Sequence, residues 1–125
     1  MVRKVLIVED IDICAATLEI ALMRVPDLIV KSASSAEQAL RLMSDGDGDI
    51  AALITDIHLP RMDGFELVEE VRSQPRFSHL PILVISGDSD PATPDRLRRL
   101  GADAYFPKPY SPAEVRQRLE ELIHV

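Results

Sequence analysis

Five times along the chain a short apolar run is followed by a stretch whose apolar residues recur at helical spacing. Val5-Leu6-Ile7-Val8 is continuous, apolar and rich in β-branched residues, the pattern of a strand buried on both faces. Ile13, Cys14, Leu18, Ala21, Leu22 and Val25 then recur at helical spacing until Pro26 stops the pattern. Ile29-Val30 opens a second, weaker strand. Ser34-Ser35-Ala36-Glu37 offers a capping box for a helix that carries Ala36, Ala39, Leu40 and Met43 inward, and Asp45-Gly46-Asp47-Gly48-Asp49 ends it as a polar turn. Ile50-Ala51-Ala52-Leu53-Ile54 is a third buried strand, closing on Thr55-Asp56. Phe65, Leu67, Val68 and Val71 form an amphipathic helix after a loop with Pro60 and Gly64. Pro81 to Ile85 is the fourth strand. Thr93-Pro94 reads as N-cap and first helical residue, and Gly101 as the stop of that helix. Ala104-Tyr105-Phe106 is a short fifth strand. Ser111-Pro112-Ala113-Glu114 begins a last helix with Val115, Leu119, Leu122 and Ile123 on its apolar face.

Parallel strands need crossover connections, and those connections are right-handed. The alternation therefore predicts an α/β fold: a single doubly wound five-stranded parallel sheet with five helices on its two faces. A flavodoxin-like strand order of 2-1-3-4-5 would make the first and third strands neighbours. No repeat, linker or low-complexity stretch divides the 125 residues, so one domain is expected over 1–125. Open sheets of this kind hold their sites at the carboxyl ends of the strands.

Composition narrows the function classes. Apolar residues make up 46% and charged residues 28%, the balance of an ordinary globular domain. A net charge of −7 argues against direct nucleic-acid binding, which needs a basic footprint. The small basic group at Arg96, Arg98 and Arg99 reads as a solvated helix face, with a docking contact for an acidic partner as the alternative. The single cysteine, Cys14, can form no internal disulfide and reads as a small core residue, with a reactive thiol as the alternative. The apolar runs are too short to span a bilayer and no signal peptide opens the chain, so no membrane association and a cytoplasmic location are expected.

The strand ends carry the chemistry. Strand one closes on Glu9-Asp10, strand three on Asp56 and strand four on Ser86, while strand five leads into Lys108-Pro109. Three carboxylates in one pocket repel unless a cation joins them. Mg²⁺ is the best fit, because it binds through one or two carboxylates and keeps waters that phosphate oxygens can replace. Ser86 supplies a hydroxyl and Lys108 a mobile point charge, so a transferred phosphoryl group would be surrounded by positive charge and donors. Asp56 would be the nucleophile, forming an acyl phosphate.

Four blocks carry a resemblance: Val5 to Asp10, Thr55-Asp56-Ile57-His58-Leu59-Pro60-Arg61-Met62-Asp63-Gly64, Ile85-Ser86-Gly87, and Gly101 to Pro109. In this order, along nearly the whole chain, they resemble the response-regulator receiver family of bacterial two-component systems, in its chemotaxis-regulator form. The resemblance implies that Asp56 accepts a phosphoryl group from a histidine kinase or a histidine phosphotransfer protein. It implies a Mg²⁺ site in which Asp10 is a direct ligand alongside Asp56, Glu9 acts through water, and His58 contributes its backbone carbonyl. Ser86 and Lys108 would contact the phosphoryl group, and the Lys108-Pro109 bond would be cis. Tyr105 would be the switch aromatic that turns inward as Ser86 is drawn to the phosphate. His58 and Asp88 stand at variable positions beside the path of an attacking water and would tune the acyl-phosphate lifetime. The domain would be a phosphoacceptor that promotes its own phosphorylation and dephosphorylation rather than an enzyme. Its output face would be the fourth helix, fifth strand and fifth helix, acting on a downstream protein effector, on a covalently linked output domain, or in a phosphorylation-dependent homodimer.

Two other readings stay open at this level. A small phosphatase of the haloacid-dehalogenase type would use Asp10 as nucleophile and Asp12 as acid/base, but leaves Asp56 unexplained. A degenerate receiver would serve only as an interaction module. Asp12 and Asp63 read as a first-turn charge and a turn residue, His58 and His124 as surface side chains, and His79 as a loop residue.

Overall fold

The computed structural model describes residues 2–45 and 50–124. Among them are five strands, β1 (Arg3–Val8), β2 (Leu28–Ala33), β3 (Ile50–Asp56), β4 (Ile82–Ser86) and β5 (Ala104–Pro107). Five α-helices alternate with them: α1 (Asp12–Leu22), α2 (Ala36–Ser44), α3 (Gly64–Arg72), α4 (Thr93–Leu100) and α5 (Pro112–Ile123). The strands pair in parallel in the order β2-β1-β3-β4-β5, the flavodoxin-like arrangement. Of the expected polar turn over 45–49, only Asp45 lies within the described residues.

Strand side chains alternate between faces, and both faces are covered. Val5, Ile7, Ala52, Ile54, Leu83 and Ile85 pack with Leu18 and Leu22 of α1 and Val115 and Leu119 of α5. Leu6, Val8, Leu53, Ile82 and Val84 pack with α2, α3 and α4 through residues such as Met43, Val68 and Leu97. This explains why β1, β3 and β4 read as unbroken apolar runs. β2 is an edge strand with exposed Lys31 and Ser32, so its pattern is weaker.

Several helix starts differ from the sequence expectation. Ser35, not Ser34, caps α2 by accepting from the Gln38 amide, while Gln38 Oε1 reaches back to accept from the Ser34 amide, so the cap sits one residue later than the expected Ser34–Glu37 box. Glu37 instead accepts from Arg61 Nε through Oε2, 3.0 Å away. Thr93 is the first residue of α4 rather than its cap, because its hydroxyl is engaged by Asp88 at 3.0 Å. Ser111 caps α5 by accepting from the Glu114 amide. Asp63, read as a turn residue, caps α3 in a full capping box with Glu66.

The largest departure is in α1. Ala15, Leu18 and Leu22 face the core, and Val25 is buried just beyond the helix. Ile13 is instead 75% exposed, and Cys14 is only half-buried. The helix is apolar nearly all round, so the apolar period alone does not single out its core-facing side.

Two glycines are dictated by backbone geometry. Gly101 ends α4 in the left-handed conformation at φ 102°, and its carbonyl accepts from Arg72 Nε and Nη2 at 3.1 and 2.8 Å. Arg72 also donates to the Phe77 carbonyl and to Asp103, so one guanidinium ties α3 to the turn before β5. Gly64 opens α3 tight against β3: a Cβ there would lie 2.4 Å from the Asp56 carbonyl oxygen.

Candidate phosphoacceptor site

The register of the sheet builds the site. Val8 pairs with Thr55, so the next residues along each strand, Glu9 and Asp56, emerge side by side at the carboxyl ends of β1 and β3. By strand alternation both follow the row of Ile7 and Ile54. Asp56 is 6% exposed, and its backbone closes a short hydrogen bond with the Thr55 hydroxyl. Oδ1 of Asp56 accepts from the His58 amide at 3.1 Å, and Oδ2 accepts from Lys108 Nζ at 2.7 Å. Lys108 Nζ also reaches Glu9 Oε1 at 3.4 Å. The Lys108 amide donates to the Ser86 carbonyl at 2.8 Å, which extends the β4–β5 pairing to the rim of the pocket. The Lys108-Pro109 peptide bond is cis.

The electrostatics follow from burial and charge. Burial, then repulsion from Asp56, raises the Glu9 carboxyl to about 7, and its side-chain hydrogen bond with Asp10 adds to the rise. Lys108 and the Ile11 amide act in the opposite direction. Burial works against the Lys108 charge, but the hydrogen bond and field of Asp56, helped by Glu9, hold the ammonium above its ordinary value. One lysine thus stands between two crowded carboxyl groups. Asp10 is exposed at the outer edge.

On the opposite wall, Ser86 is fully buried and its Oγ accepts from the Asp88 amide at 3.0 Å. The Asp88 carboxylate accepts from the Asp90 amide and the Thr93 hydroxyl, each at 3.0 Å. Those two bonds, with the fields of His58 and Arg96, hold it below the ordinary range. The Tyr105 hydroxyl lies 3.4 Å from the Asp88 carbonyl. Ser86, Asp88, Thr93 and Tyr105 therefore form one connected chain from the pocket to α4 and β5. The His58 side chain is exposed at the mouth, and His79 and His124 are exposed elsewhere.

Sequence reasoning passed over two members of this neighbourhood. Tyr110 lines a cavity of about 10 Å³ together with Glu9, Cys14 and Asp56. That volume is at the limit for one water. Thr93 is the second, as the partner of Asp88. Tyr110 directly follows Lys108-Pro109, and that adjacency was the available signal. Nothing in the sequence marks Thr93 apart from its place before Pro94.

Among the described residues, no three side chains of His, Cys, Asp or Glu cluster as a ready-made metal cage. The donors present suit a hard ion that takes few protein ligands: two neighbouring carboxyl groups that repel, a third beside them, and a backbone carbonyl in the β3–α3 loop.

Comparison with known proteins agrees with this geometry. Residues 5–120 match the family described as the response regulator receiver domain. The rice (Oryza sativa subsp. japonica) two-component response regulator ORR13 is 34% identical over 114 residues, covering 89% of this chain and 90% of that protein. The chemotaxis protein CheY1 of Helicobacter pylori is 30% identical, with 96% of each chain covered. A solved response-regulator structure from Chloroflexus aurantiacus superposes with a TM-score of 0.88 at 32% identity, covering 100% of both chains. The chain belongs to the response regulator receiver domain family, the CheY-like domains of two-component signalling.

Proposed function

We propose that this domain accepts a phosphoryl group on Asp56 in a Mg²⁺-dependent reaction and passes the change to its α4–β5–α5 surface. The observation that carries the reading is the 2.7 Å contact of Lys108 Nζ with Asp56 Oδ2, within a pocket that Asp56 shares with Glu9. A donor's phosphohistidine would present phosphorus to an Asp56 oxygen. The new O–P bond forms as the P–N bond breaks, and the imidazole leaves with the bonding pair. Lys108 would exchange its contact with the Asp56 carboxylate for one with a phosphoryl oxygen, and Ser86 would donate to another. Asp10, Asp56 and the His58 carbonyl are the direct ligands proposed for the metal, with Glu9 acting through water. When bound, Mg²⁺ would supply positive charge to the phosphoryl oxygens. Hydrolysis of the acyl phosphate by water would return Asp56 and release phosphate, so the domain would act as a phosphoacceptor rather than as a conventional enzyme.

The switch would run through the wall opposite the metal. If the phosphoryl group recruits the Ser86 hydroxyl, the bond from the Asp88 amide must adjust, and Asp88 is tied to both α4 and Tyr105. A two-state equilibrium would then be biased by contacts available in one state only. The partners proposed are a histidine kinase or histidine phosphotransfer protein upstream, and a protein effector or linked output domain downstream. No helix among the described residues is long and apolar enough to cross a membrane.

The test is acid-labile phosphate after incubation with a small phosphoryl donor and Mg²⁺. Asp56→Asn is expected to abolish it. Loss with Asp10→Asn and retention with Asp56→Asn would instead assign the nucleophile to Asp10, as in the phosphatase reading.

A further inference from the structure

Among the described residues, the outward face of α1 is apolar and largely exposed to solvent. Ile13, Ile20 and Met23 are 75%, 66% and 78% exposed, while Ala15, Leu18 and Leu22 already fill the core-facing side. Seven residues separate Ile13 from Ile20, which places them on nearly the same line and about 10 Å apart along the axis. Between them lie exposed Ala16 and Thr17. The Thr17 hydroxyl is spent on the Ile13 carbonyl at 2.8 Å, so what it offers outward is its methyl group. Single exposed apolar residues need no explanation, but a stripe down one helix does.

The stripe is self-complementary when reversed. We infer that α1 pairs antiparallel with α1 of a second copy of this chain, about a two-fold axis between Ala16 and Thr17. That axis sets Ile13 against the other copy's Ile20, and Ile20 against the other copy's Ile13. The small residues at the centre let the helices approach to ordinary packing distance. Met23 falls opposite the other copy's residue 10, next to Ile11, which is itself 50% exposed. Charge agrees with the same polarity. The amino end of α1 is acidic, with exposed Asp12, and exposed Arg24 lies just past the carboxyl end. Antiparallel pairing brings each Arg24 within side-chain reach of the other copy's Asp12, about 5 Å away along the axis. Parallel pairing would oppose like ends. The match of an isologous interface to its own reverse is the requirement of two-fold symmetry. This contact differs from the α4–β5–α5 face and does not depend on phosphorylation.

Sedimentation velocity of the full chain, without metal or phosphoryl donor, over about 10 µM to 1 mM tests the pairing. The wild type is expected to show a concentration-dependent dimer. Ile20→Glu, at an exposed site, is expected to give a monomer with an unchanged circular dichroism spectrum. Asp12→Arg and Arg24→Asp are each expected to weaken the dimer about fivefold or more, and their combination to restore it. A wild type that stays monomeric across the range overturns the inference, including the case where Ile20→Glu instead impairs phosphoryl transfer from a partner protein. So does a dimer that Ile20→Glu leaves intact, which would locate the contact elsewhere. None of these results bears on whether Asp56 is the phosphoacceptor.

Discussion

Lys108 Nζ stands 2.7 Å from Asp56 Oδ2 and 3.4 Å from Glu9 Oε1, a single ammonium shared by two carboxyl groups, one buried and one half-buried, at the ends of different strands. The pairing crosses 52 residues of sequence for Asp56 and 99 for Glu9, so only the sheet order can create it. Under the proposed function Lys108 would have two tasks: before transfer it would offset the crowding of the carboxylates, and during transfer it would meet the charge spreading onto the phosphoryl oxygens. Lys108→Ala should therefore slow phosphorylation from a small-molecule donor by about 100-fold, the size of effect seen when one preorganised donor is lost. The initial rate of acid-labile phosphate formation at saturating Mg²⁺ measures it. A rate within twofold of wild type would remove Lys108 from the reaction.

Glu9 makes the pocket sensitive to pH. Its folded value, about 7, lies above the ordinary 4.5, so between those two pH values the folded chain holds a proton that the unfolded chain has lost. The metal-free protein should accordingly lose stability as pH rises through that window, with the full cost of the charge present above 7. Mg²⁺ should reverse the trend, raising the melting temperature more at pH 7.5 than at pH 5. Glu9→Gln should flatten the metal-free profile. Thermal melts in chelator and in Mg²⁺ at the two pH values give the comparison. A metal-free melting temperature that climbs from pH 5 to 7.5, with Glu9→Gln leaving that slope unchanged, would mean that Glu9 is not the crowded group.

Gly64 opens α3 where β3 leaves no room for a side chain. A Cβ would sit 2.4 Å from the Asp56 carbonyl oxygen and 2.6 Å from Ile57 Cα, both backbone atoms that do not swing aside. Gly64→Ala should cost roughly 1–3 kcal/mol of stability, the usual range for forced overpacking. Because the strain falls on Asp56, the proposed phosphoacceptor, the folded variant should also phosphorylate more slowly. Urea denaturation and the same rate assay separate the two effects. A variant as stable as wild type would show that the loop relaxes freely.

How much of this could be read from the sequence depends on what each feature needs. The sheet and its helices were legible because β1, β3 and β4 are buried on both faces and therefore largely apolar, and because Gly101 stops its helix in a left-handed conformation that glycine takes without a Cβ penalty. The strand-end placement of Glu9, Asp56, Ser86 and Lys108 was legible for the same reason: each directly follows or flanks such a run. The helix starts were harder. The Ser34-Ser35 pair gives two candidate caps, and the choice falls to Ser35 because Gln38, not Glu37, lies over the amino end. The exposure of Ile13 was not legible because α1 is apolar on its outer side too, so periodicity does not separate a core stripe from an exposed one. Cross-element bonds such as Thr93 to Asp88 and Arg72 to Gly101 leave no trace in local pattern.

The central claim is that phosphate lands on residue 56. Incubation with phosphoramidate and Mg²⁺, borohydride reduction of the acyl phosphate, and mass mapping of the resulting homoserine test it most directly. The account predicts homoserine at position 56 alone, dependent on Mg²⁺. Homoserine at position 10, or no modification in a folded protein supplied with metal, would contradict it.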